Sequence, residues 1–539
     1  MRSLVVTVVI VAVVAGIHPA ATAPTAASPN HSAAEPEIVE LYPDPVAHDD
    51  RGEFVTLQFP AGTDPANYSL ADDQAELSLP SERTRNATGT DRVTFSTHVN
   101  ATRRLTNRTV VGIPDRLRLA NSGERLRLRR QGTVVDTVQY GRTIEGELYD
   151  PGDEEWTPLA ATDWSVVTAE GGSVEAFVLP DASDRVVEFL DASEERIYLA
   201  GYTLTSERVV DTLIDAAGRD VTVAVLVDGS PVGGMSDRMA AALDELARAG
   251  VDVRAFGGER ARYRFHHAKY AVVDGRALVT TENWKPAGVG GRSSRGWGVI
   301  TDQSPIVSAL VATFRADTGW VDTVSWREYE PTVVEGDRDR ATYPSAFAPA
   351  STVVEQTELL LAPDNAEGRI LDVIDSADQS LEIEQVRIGD RSLPFLQAVI
   401  DAAERGVEVR ILLGSEWYVK EGNRRLKRWL EEQAAADDLP LEVRLAEPDG
   451  AFGKIHAKGL IADDEQVFVG SLNWNNNSVR ENREVGLLVE SEASATYFRE
   501  VFDADWKRDS GDELPLGIAL ACLFVAVLAV LGASRLEFE

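Results

Sequence analysis

The reading turns on His267-Ala-Lys269-Tyr-Ala-Val-Val-Asp274 and its second occurrence, His456-Ala-Lys458-Gly-Leu-Ile-Ala-Asp463. Each copy is followed by a short hairpin that ends in Asn-Trp: Thr280-Thr281-Glu282-Asn283-Trp284 in the first, Gly470-Ser471-Leu472-Asn473-Trp474 in the second. The chain has 7 His, and only His266, His267 and His456 lie beyond residue 98. Lys is equally scarce, so two occurrences in equivalent contexts are not accidental. On a strand, side chains at i and i+2 share a face, so each copy sets an imidazole beside an ammonium. Ala268 and Ala457 face the other way and are small, as close packing requires. Asp274 and Asp463 fall at the strand ends, and Asn283 and Asn473 near the end of the following strand.

The repetition extends outward. Phe177-Val-Leu-Pro-Asp-Ala182 matches Leu360-Leu-Ala-Pro-Asp-Asn365, and Val221-Thr-Val-Ala-Val-Leu-Val227 matches Val407-Glu-Val-Arg-Ile-Leu-Leu413. Helical stretches separate these strands, which predicts two α/β halves, residues 172–325 and 355–508, each with a sheet between helices. A Pro-, Ala- and charge-rich segment, 326–354, links them. Two copies about a pseudo-twofold axis would place two imidazoles, two ammonium groups and two amides around one pocket.

This pattern resembles the phospholipase D superfamily, whose active site is built from two H-x-K-x4-D motifs. The resemblance implies two pseudo-symmetric α-β-α halves and a phosphodiesterase or phosphatidyltransferase, cardiolipin-synthase-like, that works without metal or cofactor. It implies catalytic positions at His267, Lys269, Asp274, Asn283, His456, Lys458, Asp463, Ser471, Asn473 and Glu484. One neutral His attacks phosphorus and the other protonates the leaving alkoxide. The Lys and Asn side chains stabilise the non-bridging oxygens. The resemblance favours His267 as nucleophile and His456 as acid, though the symmetry leaves the order open. Glu484 stands where the family keeps an acid that orients a histidine. The matching stretch of the first half, Arg295-Gly-Trp-Gly298, holds no acid, and Thr280-Thr281 replaces Gly470-Ser471. The first half therefore departs from the pattern, and a non-catalytic binding protein is the reading that follows if this disrupts the site.

At 539 residues the chain is too long for one ordinary domain. Its 88 Asp and Glu against 53 Lys and Arg leave a net charge of −35. Such an acidic, Lys-poor surface suits a halophile, because at 1 M salt the Debye length falls to about 3 Å. Residues 1–27 read as a signal peptide, with an uncleaved anchor as the alternative. Residues 514–533 are uncharged and long enough to span a membrane. The expected topology is a single-pass cell-membrane protein with its catalytic halves outside. The 1 Cys, Cys522, lies in that span, which excludes disulfides and thiol catalysis. Residues 36–145 alternate polar and apolar between turns, which predicts a small all-β immunoglobulin-like sandwich; Ile38-Val-Glu-Leu-Tyr-Pro-Asp-Pro45 and Leu126-Arg-Leu128 make it resemble a lamin-tail domain.

Phospholipid is the expected substrate, within reach of a site tethered to the bilayer by the C-terminal helix. Nucleic acid is the alternative, but its binding uses a basic stripe that this chain lacks. A monomer suffices, because both motifs lie in one chain. His266 is expected in a packing or surface role, and Lys420-Glu-Gly-Asn-Arg-Arg425 reads as a solvated basic loop that could contact a head group.

Overall fold

The computed structural model describes residues 35–45, 51–81, 90–103, 105–106, 108–114, 118–143, 145–159, 161–258, 260–336 and 341–508. The expected signal peptide at 1–27 and the expected span at 514–533 lie outside these residues. Among the described residues, no helix is long and apolar enough to cross a membrane. The chain divides into two compact units at Leu159/Ala160.

The described residues of the first unit are all-β apart from one short helix, Val99–Thr102, and a 3-10 turn, Pro65–Asn67. A six-stranded sheet is built around Glu37–Tyr42, Phe54–Pro60 and Thr90–Ser96, and a four-stranded sheet around Tyr68–Ala71, Glu124–Arg130 and Thr133–Tyr140. Leu41, Leu57, Phe59 and Phe95 of the first meet Leu70, Leu126 and Leu128 of the second in one core, so the two sheets form a sandwich. Arg125, Arg127 and Arg129 alternate with these leucines and take the other face. The unit continues past residue 145, through the strands Glu147–Asp150 and Glu155–Pro158.

The second unit holds both halves. In the first, Arg196–Gly201, Thr222–Asp228 and Asp252–Phe256 run parallel. Tyr270–Val273, Arg276–Thr280 and Ser294–Thr301 follow as antiparallel neighbours. The second half repeats this with Ser380–Gln385, Glu408–Leu413, Leu441–Leu445, Lys458–Ala462, Gln466–Gly470 and Glu484–Glu490. Thr222–Asp228 is nearly continuous Val, Ala and Leu because helices cover both of its faces. Ser236 starts the helix Asp237–Arg248 by accepting from the Met239 N–H at 3.1 Å. The C-terminal helix of each half, Ser304–Thr318 and Glu492–Lys507, lies in a layer shared by both sheets: Phe314, Phe498, Trp297 and Ile455 belong to one core.

The halves also exchange strands. Ala350–Val353, in the expected linker, pairs with Ser173–Leu179 of the first half. Val167–Glu170, ahead of the expected boundary, joins the second-half sheet against Gln356–Ala362. The exchange that positions the site is shorter. Lys454–Ile455, just before His456, pairs in parallel with Ser294–Arg295 of the first half. His266 pairs likewise with Arg483 of the second.

Under this crossing sit two buried arginines in pseudo-equivalent places. Arg483 of the second half reaches Asp317 of the first at 3.2 Å and Asp364 of its own half at 3.1 Å. It also donates to Thr162 and Tyr263. Arg295 of the first half reaches Asp505 of the second at 2.7 Å and Asp181 of its own half, and its guanidinium lies 4.9 Å from the Phe452 ring centre. Asp317 and Asp505 close the two central helices, so each arginine ties its own half to the other half's last helix. Breaking a buried pair leaves an uncompensated charge, at about 3–5 kcal/mol. Arg483→Met and Arg295→Met are each expected to lower stability by about that amount in denaturant unfolding. A loss below about 1 kcal/mol for both would show that the arginines do not hold the halves together.

Candidate active site

The crossing brings the two histidines together. The His267 N–H donates to Arg483 O and the His456 N–H to Arg295 O, both at 2.9 Å, so each histidine hangs on a carbonyl of the opposite half. The strands proper open at Tyr270 and Lys458, and the H-x-K residues form the extended lead into them rather than their middle. The alternation still holds: Ala268 and Ala457 are fully buried in the shared core.

The first imidazole is held by a carboxylate from the second half. Glu484 lies 2.8 and 2.9 Å from His267 Nδ1. An ionised carboxylate only accepts, so Nδ1 carries the proton and Nε2 keeps its lone pair. Glu484 is itself fixed by the Ser478 hydroxyl at 2.8 Å and the Asn482 amide at 3.1 Å. Burial would raise its pKa, but His267 and Lys269 outweigh that and keep it below the ordinary carboxylate value. Burial pushes His267 down to about 4, against the pull of Glu484, so the imidazole is neutral at pH 7. The Tyr202 ring packs edge-on to it at 4.7 Å.

The second imidazole has a counterpart that residue matching alone does not reveal. Glu282 Oε2 lies 3.2 Å from His456 Nδ1. Glu282 occupies the position of Leu472, while Gly296 occupies that of Glu484: Gly296 pairs with Leu179 as Glu484 pairs with Ala362. A Cβ on Gly296 would run into the Glu282 side chain. The acid has moved from the strand to the preceding loop, and the glycine makes room for it. The expectation that the first half lacks this acid is thus corrected. Thr281 replaces Ser471 without loss: its hydroxyl accepts from the Trp297 N–H at 3.0 Å, as Ser471 does from Val485 at 3.0 Å. Ser471 therefore supports the loop and Glu484 and is not placed against a reacting atom.

Both lysines are buried. Lys269 Nζ donates to His267 O at 2.6 Å and Lys458 Nζ to His456 O at 2.7 Å. Lys458 Nζ also lies 3.3 Å from His456 Nδ1. Burial lowers Lys269 well below its ordinary value and Lys458 to about 8, with Glu282 and Glu484 opposing the latter shift. Burial, then Lys458, lowers His456. Glu282 rises to about 7 through burial, with Lys458 the leading opposing charge. Asn283 and Asn473 are half-buried beside Glu282 and Leu472, and Asn283 Oδ1 has no hydrogen-bond partner.

Asp274 and Asp463 do not join the site, and their expected catalytic role is corrected. Each sits in a hairpin turn at φ +51° and +54°, five extended residues or about 16 Å along the chain from its lysine. Asp274 accepts the N–H groups of Glu194, Glu195 and Arg196 at 2.8–2.9 Å, and Asp463 those of Asp378, Gln379 and Ser380 at 2.7–2.9 Å. A short acceptor that tolerates positive φ is what such a turn requires. His266 is buried, its Nε2 3.1 Å from Asp317, in the expected packing role.

A family model described as "Cardiolipin synthase, PLD-like domain" matches residues 186–318 and 370–506, half of the chain. The chain belongs to this phospholipase D-like family. The family's paired domains are the two halves described above. Among curated relatives, the mitochondrial cardiolipin hydrolase of Canis lupus familiaris is 28% identical over 104 residues, 19% of this chain and 37% of that protein. Cardiolipin synthase 2 of Staphylococcus epidermidis is 28% identical over 181 residues, 32% and 35% of the two chains. The chain thus spans about a third of the length of these relatives. The solved phosphatidylserine synthase of Haemophilus influenzae aligns at 14% identity and TM-score 0.47, over 62% of this chain and 85% of that one.

The site predicts a bell-shaped pH dependence. Below about 7 Glu282 is a neutral carboxyl and gives up the charge that holds His456; above about 8 Lys458 loses its proton. kcat/KM for phosphodiester cleavage is expected to rise through the first value and fall through the second. Glu282→Gln is expected to reduce kcat/KM on the order of 100-fold and to remove the acidic limb. Adding Gly296→Glu to Glu282→Leu is expected to restore part of the loss. An unchanged acidic limb in Glu282→Gln would separate Glu282 from the chemistry.

Proposed function

We propose that this chain cleaves or transfers the phosphodiester of a phospholipid through a covalent phosphohistidine. One observation carries the reading: two neutral histidines, each with Nδ1 against a carboxylate of the opposite half, flanked by two buried lysines. His267 Nε2 attacks phosphorus, an N–P bond forms, and the P–O bond to the leaving alkoxide breaks. His456, neutral in the resting site, takes up a proton once the anionic diester is bound and passes it to the alkoxide; as a neutral imidazole it then removes one from water or an acceptor alcohol. The oxygen so activated attacks phosphorus and the N–P bond breaks. Lys269, Lys458 and the amides of Asn283 and Asn473 meet the charge on the non-bridging oxygens. The tighter hydrogen bonding of His267 to Glu484 favours it as nucleophile, because that imidazole is fixed in the reactive tautomer.

The substrate reading is supported by the family description and by the cardiolipin enzymes among the relatives. His267→Asn and His456→Asn are each expected to lower turnover of phosphatidylglycerol or cardiolipin by at least about 10⁴-fold in excess EDTA, since nucleophile and acid serve one pathway. Acid-labile, base-stable phosphate should be trapped on the His456→Asn protein and not on the His267→Asn protein. Near-normal turnover by either variant would end the shared-site model. Cleavage of single-stranded DNA with no lipid turnover would give the site to a nuclease.

The reading includes a location: catalytic halves outside the cell, held by the apolar segment 514–533. External protease added to intact cells is expected to remove residues 36–508. Full protection, with digestion restored by detergent, would place the halves inside.

A further inference from the structure

The loops after two equivalent strands flank the site. In the first half the chain leaves Thr222–Asp228 through Gly229–Gly234. The Val232 N–H there donates to the Tyr202 hydroxyl, and the Tyr202 ring touches His267. In the second half it leaves Glu408–Leu413 through Gly414–Val419. Glu416 there accepts the Ile455 N–H at 3.0 Å, one residue before His456. Each loop is tied to a neighbour of a histidine, Tyr202 or Ile455, and carries exposed apolar groups. Val232 is 78% exposed, Trp417 89% and Tyr418 51%. Val333 and Val334, exposed as well, pair with Met235–Ser236 next to the first loop.

Behind Tyr418 a cavity of 420 Å³ opens at the start of the helix Lys420–Asp437, lined by Arg387, Arg391, Asn423 and Arg425 among others. It touches the catalytic loop, since the Gly389 N–H in its wall donates to Trp474 O at 2.8 Å. Arg425 is shared with Glu421 at 3.3 Å, and Asp390 is taken up by Ser392. Arg387 has no carboxylate partner among the described residues, and Arg391 lies on the Trp429 ring at 4.8 Å.

We propose that this rim is where the enzyme docks on an anionic phospholipid bilayer. Trp417, Tyr418 and Val232 enter the interfacial layer while Arg387 and Arg391 take lipid phosphates at the mouth of the cavity. Trp and Tyr suit that layer because they pair an apolar body with a polar edge. Cations beside them add attraction to anionic head groups. Nucleic acid fits less well: the most exposed side chain of the opposite lip, Val232, is aliphatic and gives a base no face to stack on. The proposal rests on the phospholipid reading and goes beyond it by naming the surface that meets the membrane.

The test uses the full chain with vesicles of phosphatidylcholine and phosphatidylglycerol, and bis(p-nitrophenyl) phosphate as a soluble diester. Trp417→Ala is expected to lower vesicle turnover at least about tenfold and Arg387→Ala about fivefold, with soluble-diester turnover unchanged. Brominated lipid is expected to quench wild-type fluorescence more than that of Trp417→Phe, whether or not the lipid is turned over. Quenching without lipid turnover would leave the docking surface standing and remove the substrate reading. Lipid turnover with no Trp417-dependent quenching, or equal losses on vesicle and soluble substrate, would overturn the docking surface alone. Loss of single-stranded DNA binding in Trp417→Ala, without lipid quenching, would overturn it in favour of nucleic acid.

Discussion

Everything at the site depends on two buried arginines that cross the dyad. Removing a guanidinium and a carboxylate from water costs several kcal/mol per ion, which is recovered only with close geometry and further hydrogen bonds. Arg483 and Arg295 meet that condition with two carboxylates each and an aromatic ring. The same residues present the carbonyls on which His267 and His456 hang. A shift of one half against the other would therefore open an ion pair before it misplaced an imidazole. The clamp converts a stability requirement into a positional one: the histidines come from different halves, yet their spacing is set by charge pairs that tolerate little displacement.

The pseudo-symmetry is broken in a chemically useful way. Glu484 projects from a strand, is held by Ser478 and Asn482, and stays ionised. Glu282 projects from a loop, keeps Oε1 without a hydrogen-bond partner, and titrates near 7. Two environments that push paired carboxylates apart also separate the tasks of the imidazoles they face. A firmly ionised partner suits a histidine that must remain a neutral nucleophile. A partner that itself exchanges a proton near neutrality suits one that must deliver and then retrieve a proton. The exchange of Leu472/Glu484 for Glu282/Gly296 thus retains two acids while making them unequal.

The motif pairs, the two α/β halves and the all-β character of the first unit were legible because they rest on local periodicity and spacing. What was not legible rests on tertiary contact. Arg295 and Arg483 carry no local signal, and Arg295 meets Asp505 across 210 positions of sequence. Glu282 was missed because the copies were compared position by position. The reciprocal sign, a glycine opposite Glu484 and an acid opposite Leu472, was present in the two lines of sequence. Asp274 and Asp463 misled in the other direction, since their constant spacing from lysine reflects a hairpin length and not a pocket. Lys420–Arg425 reads as a loop because of Gly422 and Asn423, yet it opens a helix. Asn423 is buried there and bridges Val386 O and Gly414 O at 2.9 and 2.7 Å, so a residue that signals a turn instead fixes the helix to the strand ends.

The electrostatics of the site favour an anion. Burial pushes both lysines and both histidines toward their neutral forms, and the lysines and histidines oppose one another's charge. Two carboxylates alone do not balance four cationic groups in a low-dielectric pocket, so the resting state keeps some of them unprotonated. A phosphodiester bound beside these groups would supply the missing negative charge. It raises their proton affinity together, and substrate binding becomes linked to proton uptake. Under the proposed assignment, His456 then gains its proton when a leaving group is present to receive it, while Glu484 continues to hold His267 with Nε2 unprotonated. Charge that is costly to bury by itself becomes stabilising beside a phosphodiester, which is how buried lysines can serve a transition state without destabilising the fold that presents them.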